Sequence, residues 1–325
     1  MSAVTRKIFL LSLCCFFSCR AFCWGFWAHQ QINYLAVFLL PPEMLVLYKP
    51  QIEFLKEHAV DPDKRRYAVT DEAPRHYLDI DHYGNYPYDS LPKKWSEAAE
   101  KFSEDSLKKY GIVPWHIQTM LARLTKAFKE QNFSGILKNS AELGHYIADA
   151  HVPLHASSNH NGQLTGQKGI HAFWESRIPE LLAEKEFDFF IGQAAYIKDP
   201  LVFTWNRLLE SARAADTVLL LEKNLSRSFP ADQKYSFEPR NGLILKQFSS
   251  AFSTEYNRQL NGMVERRMRQ AIFAIASFWY TAWVNAGQPD LKHLSGKTFS
   301  DNDQKEFDDL NKGWQAAAKM IGREE

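Results

Sequence analysis

The segment from His145 to Glu175 contains the residue types and spacings best suited to metal chemistry. His145 and Asp149 are four positions apart, and His171 and Glu175 repeat this spacing. On an α-helix, residues four apart project from the same face, so each pair would present an imidazole beside a carboxylate. Zinc binds both neutral imidazole nitrogen and carboxylate oxygen in tetrahedral sites. His155 lies between the two pairs, after a proline that would end the first helix and let His155 turn back toward the second pair.

Each pair alone also has an ordinary structural interpretation. A histidine and a carboxylate four residues apart often form a pair on a helix surface, and buried histidines are often hydrogen-bonded within the core. The sequence contains two such pairs 26 residues apart, counted from His145 to His171, with a further histidine between them. Several potential ligands that converge favour a metal site over unrelated helix pairs.

Further histidines and carboxylates are concentrated upstream of these pairs. They occur in two stretches, 58–63 and 74–82, and His29 lies near the start of the first predicted helix. Lys64 begins a basic triplet, which is interpreted either as a contact for a substrate phosphate or as a solvated basic turn. His151, which is close to the main cluster in sequence, is interpreted as a support for the ligands or as a second contact with substrate.

The first 23 residues have the pattern of a signal peptide. Two basic residues precede an apolar run over 8–17, and small residues follow it. This pattern predicts cleavage between Cys23 and Trp24 and a mature protein that is secreted or periplasmic. The apolar run is shorter than the roughly 20 residues that span a bilayer, so we expect no transmembrane helix in the mature chain. A lipoprotein acylated at Cys19 or Cys23 is a less favoured alternative, because neither cysteine follows a good lipobox.

Composition constrains the rest of the chain. All four cysteines lie within residues 1–23, so disulfides cannot stabilise residues 24–325. The chain has 39 Lys and Arg residues and 38 Asp and Glu residues, a balance that does not suggest a strongly basic nucleic-acid surface. The length after residue 23 suits one large domain or two small ones, and no break in composition requires a second domain.

Hydrophobic periodicity predicts helices around the candidate ligands. Apolar residues recur at spacings of three and four over several stretches, and a short further helix is expected toward Tyr48. The main stretches are Trp27–Leu40, Ile117–Phe128, Ser134–Asp149, Leu201–Leu221 and Phe248–Trp283. Convincing strand pairs are not evident, 157–169 is expected to form a loop, and a piece near Leu310–Met320 is a candidate appended helix. The predicted fold class is all-α.

The set of candidate ligands resembles the zinc-dependent phospholipase C and nuclease superfamily. Mature enzymes of this superfamily begin with tryptophan and hold three zinc ions, and the resemblance covers Trp24 to Glu175, about half of the mature chain. It implies a single multi-helix domain, residues 24–325, around a trinuclear zinc cleft, with 286–325 as a candidate C-terminal extension. The implied ligands are the amino group and carbonyl of Trp24 with His29 at one zinc; Asp61, His76 and His145 at a second; Asp149 as the bridge between these two; and His155, His171 and Glu175 at the third.

The resemblance favours Asp61 over Asp63 as a ligand. Asp61 lies 15 residues before His76, which fits the family spacing, and Asp63 is then interpreted as a helix cap. Asp61 would also act in catalysis, by orienting or deprotonating the water that attacks the substrate. The related nucleases tend to have arginine at the position of Lys64, which favours a phosphate contact there.

The resemblance implies a phosphodiester substrate, either a phospholipid or a single-stranded nucleic acid. Glu175 at the last ligand position and the short interval between His155 and His171 favour a phospholipase C-like enzyme. The short interval between Trp24 and His29 is more typical of single-strand-specific nucleases and 3′-nucleotidases, which form the alternative. A second alternative is a non-catalytic exported protein that zinc stabilises, and no protein partner is predicted.

Overall fold

A computed structural model describes residues 25–240, 243–317 and 319–321. Within these ranges most of the chain is helical, which confirms the predicted fold class, and one two-stranded sheet is added to it. The predicted signal peptide, residues 1–23, and the proposed ligand Trp24 lie outside the described residues. No helix among the described residues is both long enough and apolar enough to cross a bilayer.

Most helices follow one another closely, and longer connections span 66–94 and 151–169. In chain order they are α1 (Phe26–Val37), α2 (Pro42–Tyr48), α3 (Ile52–Glu57), α4 (Asp61–Arg65), α5 (Trp95–Phe102), α6 (Glu104–Tyr110), α7 (Val113–Lys129), α8 (Phe133–Ala150), α9 (Ile170–Ala172), α10 (Ile178–Glu186), α11 (Pro200–Ser228), α12 (Ser250–Gln259), α13 (Met263–Asn285) and α14 (Asp301–Ala316). Short 3₁₀ turns at His58–Val60, Ala73–Arg75, Ile80–Tyr83, Pro153–Ala156 and Lys292–Leu294 join some of them, and a π-helical turn, Phe173–Arg177, joins α9 to α10.

Helix α8 lies at the centre of the core and carries the first predicted ligand pair. It packs against α1, α7 and α13, and its last turns are buried throughout. Gly144 permits the close approach of α1, because a Cβ at this position would lie 2.0 Å from Asn33 Oδ1. The amide of Asn33 donates a hydrogen bond of 3.0 Å to the Ala141 carbonyl, which holds the two helices together. This crossing lies one residue from His145 and therefore helps to position it.

The sheet is a β-hairpin that the sequence analysis did not predict. Strand β1 (Tyr235–Arg240) pairs antiparallel with β2 (Leu243–Phe248), in a register that sets Arg240 opposite Leu243. The sequence between them is Asn241-Gly242, the dipeptide most typical of a two-residue hairpin connection. Apolar and polar residues also alternate over 235–238, before this dipeptide, which is a further signal for a strand. The stretch predicted as one helix over 248–283 is correspondingly divided into the end of β2, α12 and α13.

The C-terminal helix begins earlier than predicted and packs on the helices near the candidate site. Ser300 caps α14 in a reciprocal arrangement with Asp303. The ring of Phe307 lies 4.4 Å from that of His58, between centroids, just before α4. Farther along, the backbone N–H of Ile321 donates a hydrogen bond of 2.8 Å to the Arg66 carbonyl. The segment suggested as an extension therefore contacts the element that carries Asp61 and Asp63.

Candidate metal centre

Among the described residues, three groups of buried histidine and carboxylate side chains could hold metal ions. Within each group the potential ligand atoms all lie within 4.8 Å of one another. The groups are His29, His145 and Asp149; Asp63, His76 and His145; and His155, His171 and Glu175.

The first group is built where α1 crosses α8. The rings of His29 and His145 stack with their centroids 4.0 Å apart. His29 Nε2 lies 3.3 Å from Asp149 Oδ1, and His145 Nε2 lies 3.2 Å from Asp149 Oδ2. His145 and Asp149 are on the same face of α8, as their spacing predicted, whereas His29 reaches them because Gly144 allows α1 to approach.

The second group shares His145 with the first. His76 Nδ1 lies 3.0 Å from both His145 Nε2 and Asp149 Oδ2. Asp63 Oδ1 lies 3.7 Å from His76 Nδ1 and also 3.7 Å from His145 Nε2. Asp149 therefore faces both groups.

Asp63, and not Asp61, occupies the carboxylate position of the second group. Asp61 and Asp63 are two residues apart on α4, and such residues project from nearly opposite sides of a helix. The Asp61 carboxylate faces His58 Nδ1 at 2.5 Å and accepts a hydrogen bond of 2.9 Å from Lys64 Nζ. This arrangement corrects the prediction that Asp61 is the metal ligand. The Asp61 side chain is held by His58 and Lys64, whereas Asp63 faces His76 and His145.

The third group depends on a local distortion of the helix after the predicted loop. Glu175 lies in the π-helical turn, four residues after His171, and the two side chains approach to 3.0 Å between Nε2 and Oε2. His155 Nε2 lies 3.5 Å from the same Glu175 oxygen and 3.9 Å from Asp149 Oδ1. Single π-helical turns are rare and are often found at functional sites. Asp149 thus connects the third group to the other two.

The hydrogen bonds of the histidines leave nitrogen lone pairs directed at carboxylates. The Nδ1 atoms of His145, His155 and His171 lie 2.9, 2.7 and 3.0 Å from the backbone carbonyls of residues 59, 76 and 160. A carbonyl only accepts, so each Nδ1 carries a proton, and in the neutral ring Nε2 then presents a lone pair. His155 Nε2 then faces two carboxylates without a hydrogen-bond partner among the described residues. A metal ion placed between these acceptors would satisfy them, so the residues fit a bound metal ion.

Burial keeps His29 and His145 in the neutral form that binds metals. Burial, with His29 nearby, lowers the pKa of His145 to about 3, and burial also lowers the pKa of His29. Burial alone would raise the pKa of Asp149, but His145 and His155 hold it well below its usual range. A neutral imidazole beside an ionised carboxylate is the protonation state that zinc requires.

Glu72 is a supporting residue that the sequence analysis missed. It is fully buried, accepts a 2.7 Å hydrogen bond from Arg75 and a hydrogen bond from the hydroxyl of Tyr146, and faces His76 Nε2 at 3.6 Å. Burial alone would raise its pKa, but His76 and Arg65 hold it below its usual range. Although burial opposes protonation of His76, Asp149 and Glu72 raise its pKa to about 9 in the metal-free protein. The spacing of four between Glu72 and His76 was the available signal.

The two residues suggested for substrate binding are both enclosed by the fold. Lys64 is buried and its ammonium group is engaged by Asp61. His151 is buried, lies 2.7 Å from the Ile147 carbonyl through Nδ1, and its own carbonyl accepts from Arg267 Nε at 2.8 Å. His151 therefore belongs to the core between α8 and α13, and its burial does not support the prediction that it contacts substrate.

Seven of the predicted metal ligands therefore lie together in the described structure, namely His29, His76, His145, Asp149, His155, His171 and Glu175. Asp61 is replaced by Asp63, and Trp24 lies outside the described residues. The groups establish that metal ions could be held here, without specifying the metal or the number of ions. Comparison with known proteins found no protein-family model and no curated protein that matches the chain.

Proposed function

We propose that the protein is an exported, zinc-dependent phosphodiesterase with phospholipase C-like activity. The observation that carries this proposal is the convergence of three buried ligand groups on the carboxylate of Asp149. Its Oδ1 faces His29 and His155, and its Oδ2 faces His76 and His145. Neighbouring metal ions are typical of enzymes that displace a leaving oxygen from phosphorus.

The donor set favours zinc, and the proposed number of ions is three. Imidazole nitrogen mixed with carboxylate oxygen suits zinc better than calcium or magnesium, which prefer oxygen ligands alone. The three groups together offer eight side chains, because His145 belongs to two of them and has one nitrogen left for a single ion. With His145 in the second group, the second and third groups each offer three side chains, as catalytic zinc sites commonly do while keeping a position for water or substrate. The first group then offers His29 and Asp149, and Trp24 would complete it.

Bound zinc would supply Lewis acidity toward the phosphoryl oxygens and would lower the pKa of a water to near 7. The chain's own residues orient the ligands through the hydrogen bonds of the histidine Nδ1 atoms and exclude bulk solvent around Asp149, which is fully buried. We place the water-orienting and proton-accepting role on Asp63, because Asp61 is engaged by His58 and Lys64.

The start of the described chain supports the proposed role of Trp24. Gly25 is buried against the turn that carries Glu175, since a Cβ at Gly25 would lie 2.9 Å from the side chain of Ser176. Gly25 also leads directly into α1, which carries His29. We infer that removal of the leader exposes the amino group of Trp24 as a ligand, so that export completes the site.

Metal content and hydrolysis test the proposal together. We expect the purified chain beginning at Trp24 to contain about three zinc ions by elemental analysis and to hydrolyse bis(p-nitrophenyl) phosphate until a chelator is added. Asp149→Asn should lose zinc and activity. Glu222→Gln is the matched control, because Glu222 is also a buried carboxylate but is bonded to Lys234 instead of the ligand groups.

Three results would contradict the proposal in different ways. A purified protein without bound zinc would reject the metal centre. Zinc that is retained without hydrolysis of any phosphodiester would favour a stabilising role for the metal. Hydrolysis of single-stranded DNA but not of phospholipid vesicles would favour the nuclease alternative.

A chain that retains one extra residue before Trp24 tests the role of the amino group. Such a chain should lose most of its activity, because its terminal amine is displaced from the metal. The same extension carrying a protease site that restores Trp24 as the first residue is the control, and cleavage should restore the activity. Full activity of the uncleaved chain would show that the amine is not a ligand.

A further inference from the structure

The β-hairpin has one face directed away from the protein and one face directed toward it. Residues opposite each other in an antiparallel pair share a face, so Phe237 lies beside Lys246, and Pro239 lies beside Ile244. Glu238 is on the other face, where it accepts a 2.6 Å hydrogen bond from Arg177 Nη2. The outward face therefore combines aromatic and aliphatic side chains with a lysine.

The outward face is unusually apolar for a solvent-exposed surface. Phe237 is 71% exposed, Ile244 is 67% exposed and Tyr235 is 38% exposed. These are three of the eleven large hydrophobic side chains that are exposed among the described residues, and they lie on one short hairpin. Scattered exposed hydrophobics need no explanation, but a contiguous group indicates an interaction surface.

The inner face and the base of the hairpin connect it to the third ligand group. Arg177 Nε donates a 3.1 Å hydrogen bond to the Phe248 carbonyl at the end of β2. Arg177 belongs to the same π-helical turn as Glu175, and the ring of Phe173 in that turn stacks on Phe248 with centroids 3.9 Å apart. A cleft of about 370 Å³ lies between the hairpin and α1, bordered by Trp27, Glu180 and Pro239. The hairpin is thus held beside the candidate site while its outer face stays exposed.

We propose that the outward face of the β-hairpin, defined by Tyr235, Phe237, Pro239, Ile244 and Lys246, docks on the surface of a phospholipid bilayer. This inference rests on the proposed phosphodiesterase function and assigns phospholipid as its substrate class. The Phe237 and Ile244 side chains would enter the boundary between headgroups and acyl chains, while tyrosine suits the headgroup level.

The charges on this face favour a membrane over a nucleic acid. Lys246 is exposed, with its Nζ 4.1 Å from the centroid of the Tyr235 ring, and the five residues of the face include no carboxylate. A single lysine can reach lipid phosphates while its alkyl chain covers apolar surface. Binding to a nucleic-acid backbone depends on several cationic contacts, which this face does not offer.

Vesicle binding tests the docking surface independently of catalysis. The probe is sedimentation of the zinc-loaded chain with vesicles of phosphonate analogues of phosphatidylcholine and phosphatidylglycerol, in which a carbon–phosphorus bond replaces the ester that would be hydrolysed. The wild-type chain should bind, and Phe237→Ser with Ile244→Ser should weaken the partition by about tenfold, because two membrane-entering side chains are lost. Phe190→Ser is the matched control, since Phe190 is 87% exposed but lies outside the hairpin, and it should bind as the wild type does.

The outcomes separate this inference from the proposed function. If the wild type does not bind vesicles, or if the double variant binds equally well, the docking surface is rejected even when bis(p-nitrophenyl) phosphate is hydrolysed. If vesicles are bound but no phosphodiester is hydrolysed, the docking surface remains and the proposed function is rejected. Loss of dimerisation in the double variant, measured by analytical ultracentrifugation without any vesicle binding, would assign the face to a second copy of the chain. Circular dichroism checks that each variant is folded.

Discussion

Asp61 and Asp63 differ in their surroundings although only one residue separates them. Both are buried, but Asp61 is bonded to His58 and Lys64, whereas Asp63 faces the rings of His76 and His145. Because a metal ligand must direct an oxygen at the ion, this difference in direction decides which aspartate can bind.

Exchange of each aspartate for asparagine tests this assignment. Asp63→Asn should weaken zinc binding by more than about tenfold, because the change removes a charged ligand and exceeds the effect expected of a supporting residue. Asp61→Asn should have a smaller effect on zinc affinity. Competition with a zinc chelator measures both, and a larger loss in Asp61→Asn would restore the original preference for that residue.

Glu72 provides a second test at the scale of single residues. Its carboxylate faces His76 Nε2 and is bonded to two arginines, so it orients the His76 ring and balances the charge around it. Glu72→Gln should lower zinc affinity by about 10–100-fold, as changes to groups that support metal ligands commonly do. Glu142→Gln is the control, since Glu142 also pairs with Arg65 but has no contact with His76. Equal zinc affinity in Glu72→Gln and the wild type would contradict this role.

The helices contribute to the site mainly through how they end and where they cross. Helix α8 carries two ligands on one face, α1 brings His29 to them at Gly144, and the π-helical turn aligns Glu175 with His171. Helix α14 contributes no ligand, but it packs on α4 and its neighbours and so supports the part of the chain that carries Asp63.

The attachment of α14 depends on the ionised side chain of Asp303. Asp303 pairs with Lys138 on α8 at 2.7 Å, and its capping bonds with Ser300 begin the helix. Burial alone would raise the pKa of Asp303, but Lys138, Ser300 and Ser134 hold it below its usual range. A depressed folded-state pKa stabilises the protein above the unfolded value near pH 4, and this stabilisation is lost as the pH falls through the folded value.

Asp303→Asn should therefore lower the Tm by about 2–4 °C near pH 7, as expected for the loss of roughly 1 kcal/mol in a large domain. The difference from the wild type should become smaller as the pH falls below about 4, where the carboxylate of the unfolded chain takes up a proton while that of the folded chain is still ionised. Asp301→Asn, at an exposed position in the same helical turn, is the control. A constant difference across this pH range would show that the charge of Asp303 does not attach the helix.

At the scale of the whole molecule, the candidate site is part of the core and not a surface addition. The ligands come from α1, α4, α8 and the turns that follow, and their carboxylates are almost completely buried. No disulfide can support the chain after residue 23, because all four cysteines precede that position. A cation bound at the centre would balance these buried carboxylates, and the stability of the fold would then depend on it.

Removal of metal should consequently destabilise the entire protein. A metal present at about 1,000 times its dissociation constant contributes about 4 kcal/mol, which corresponds to a fall in Tm of roughly 8–16 °C after chelation. Added zinc should restore the Tm, and magnesium should not, because magnesium prefers oxygen ligands. Differential scanning calorimetry measures both effects, and an unchanged Tm after complete removal of metal would show that the ligand groups need no cation for stability.

Local features of the chain could be predicted from sequence because they depend on short-range geometry. The pairs His145 with Asp149 and His171 with Glu175 rest on the periodicity of a helix, and the structure brings both pairs to within 3.2 Å. The helical class of the fold follows from the same periodicity. The Asn241-Gly242 signal for a hairpin was present in the sequence as well, but helical periodicity in the neighbouring stretch obscured it.

By itself, then, the sequence determined the residue types, the ligand pairs on single helices and the absence of cysteine after residue 23. Only the tertiary structure decided that Asp63 replaces Asp61, that Glu72 lies behind His76, and that Asp149 faces all three ligand groups. The physical reason is that each of these relations depends on the direction of side chains across helix crossings. Such directions are set by the packing of distant residues, such as Gly144 against Asn33, and not by spacing along the chain.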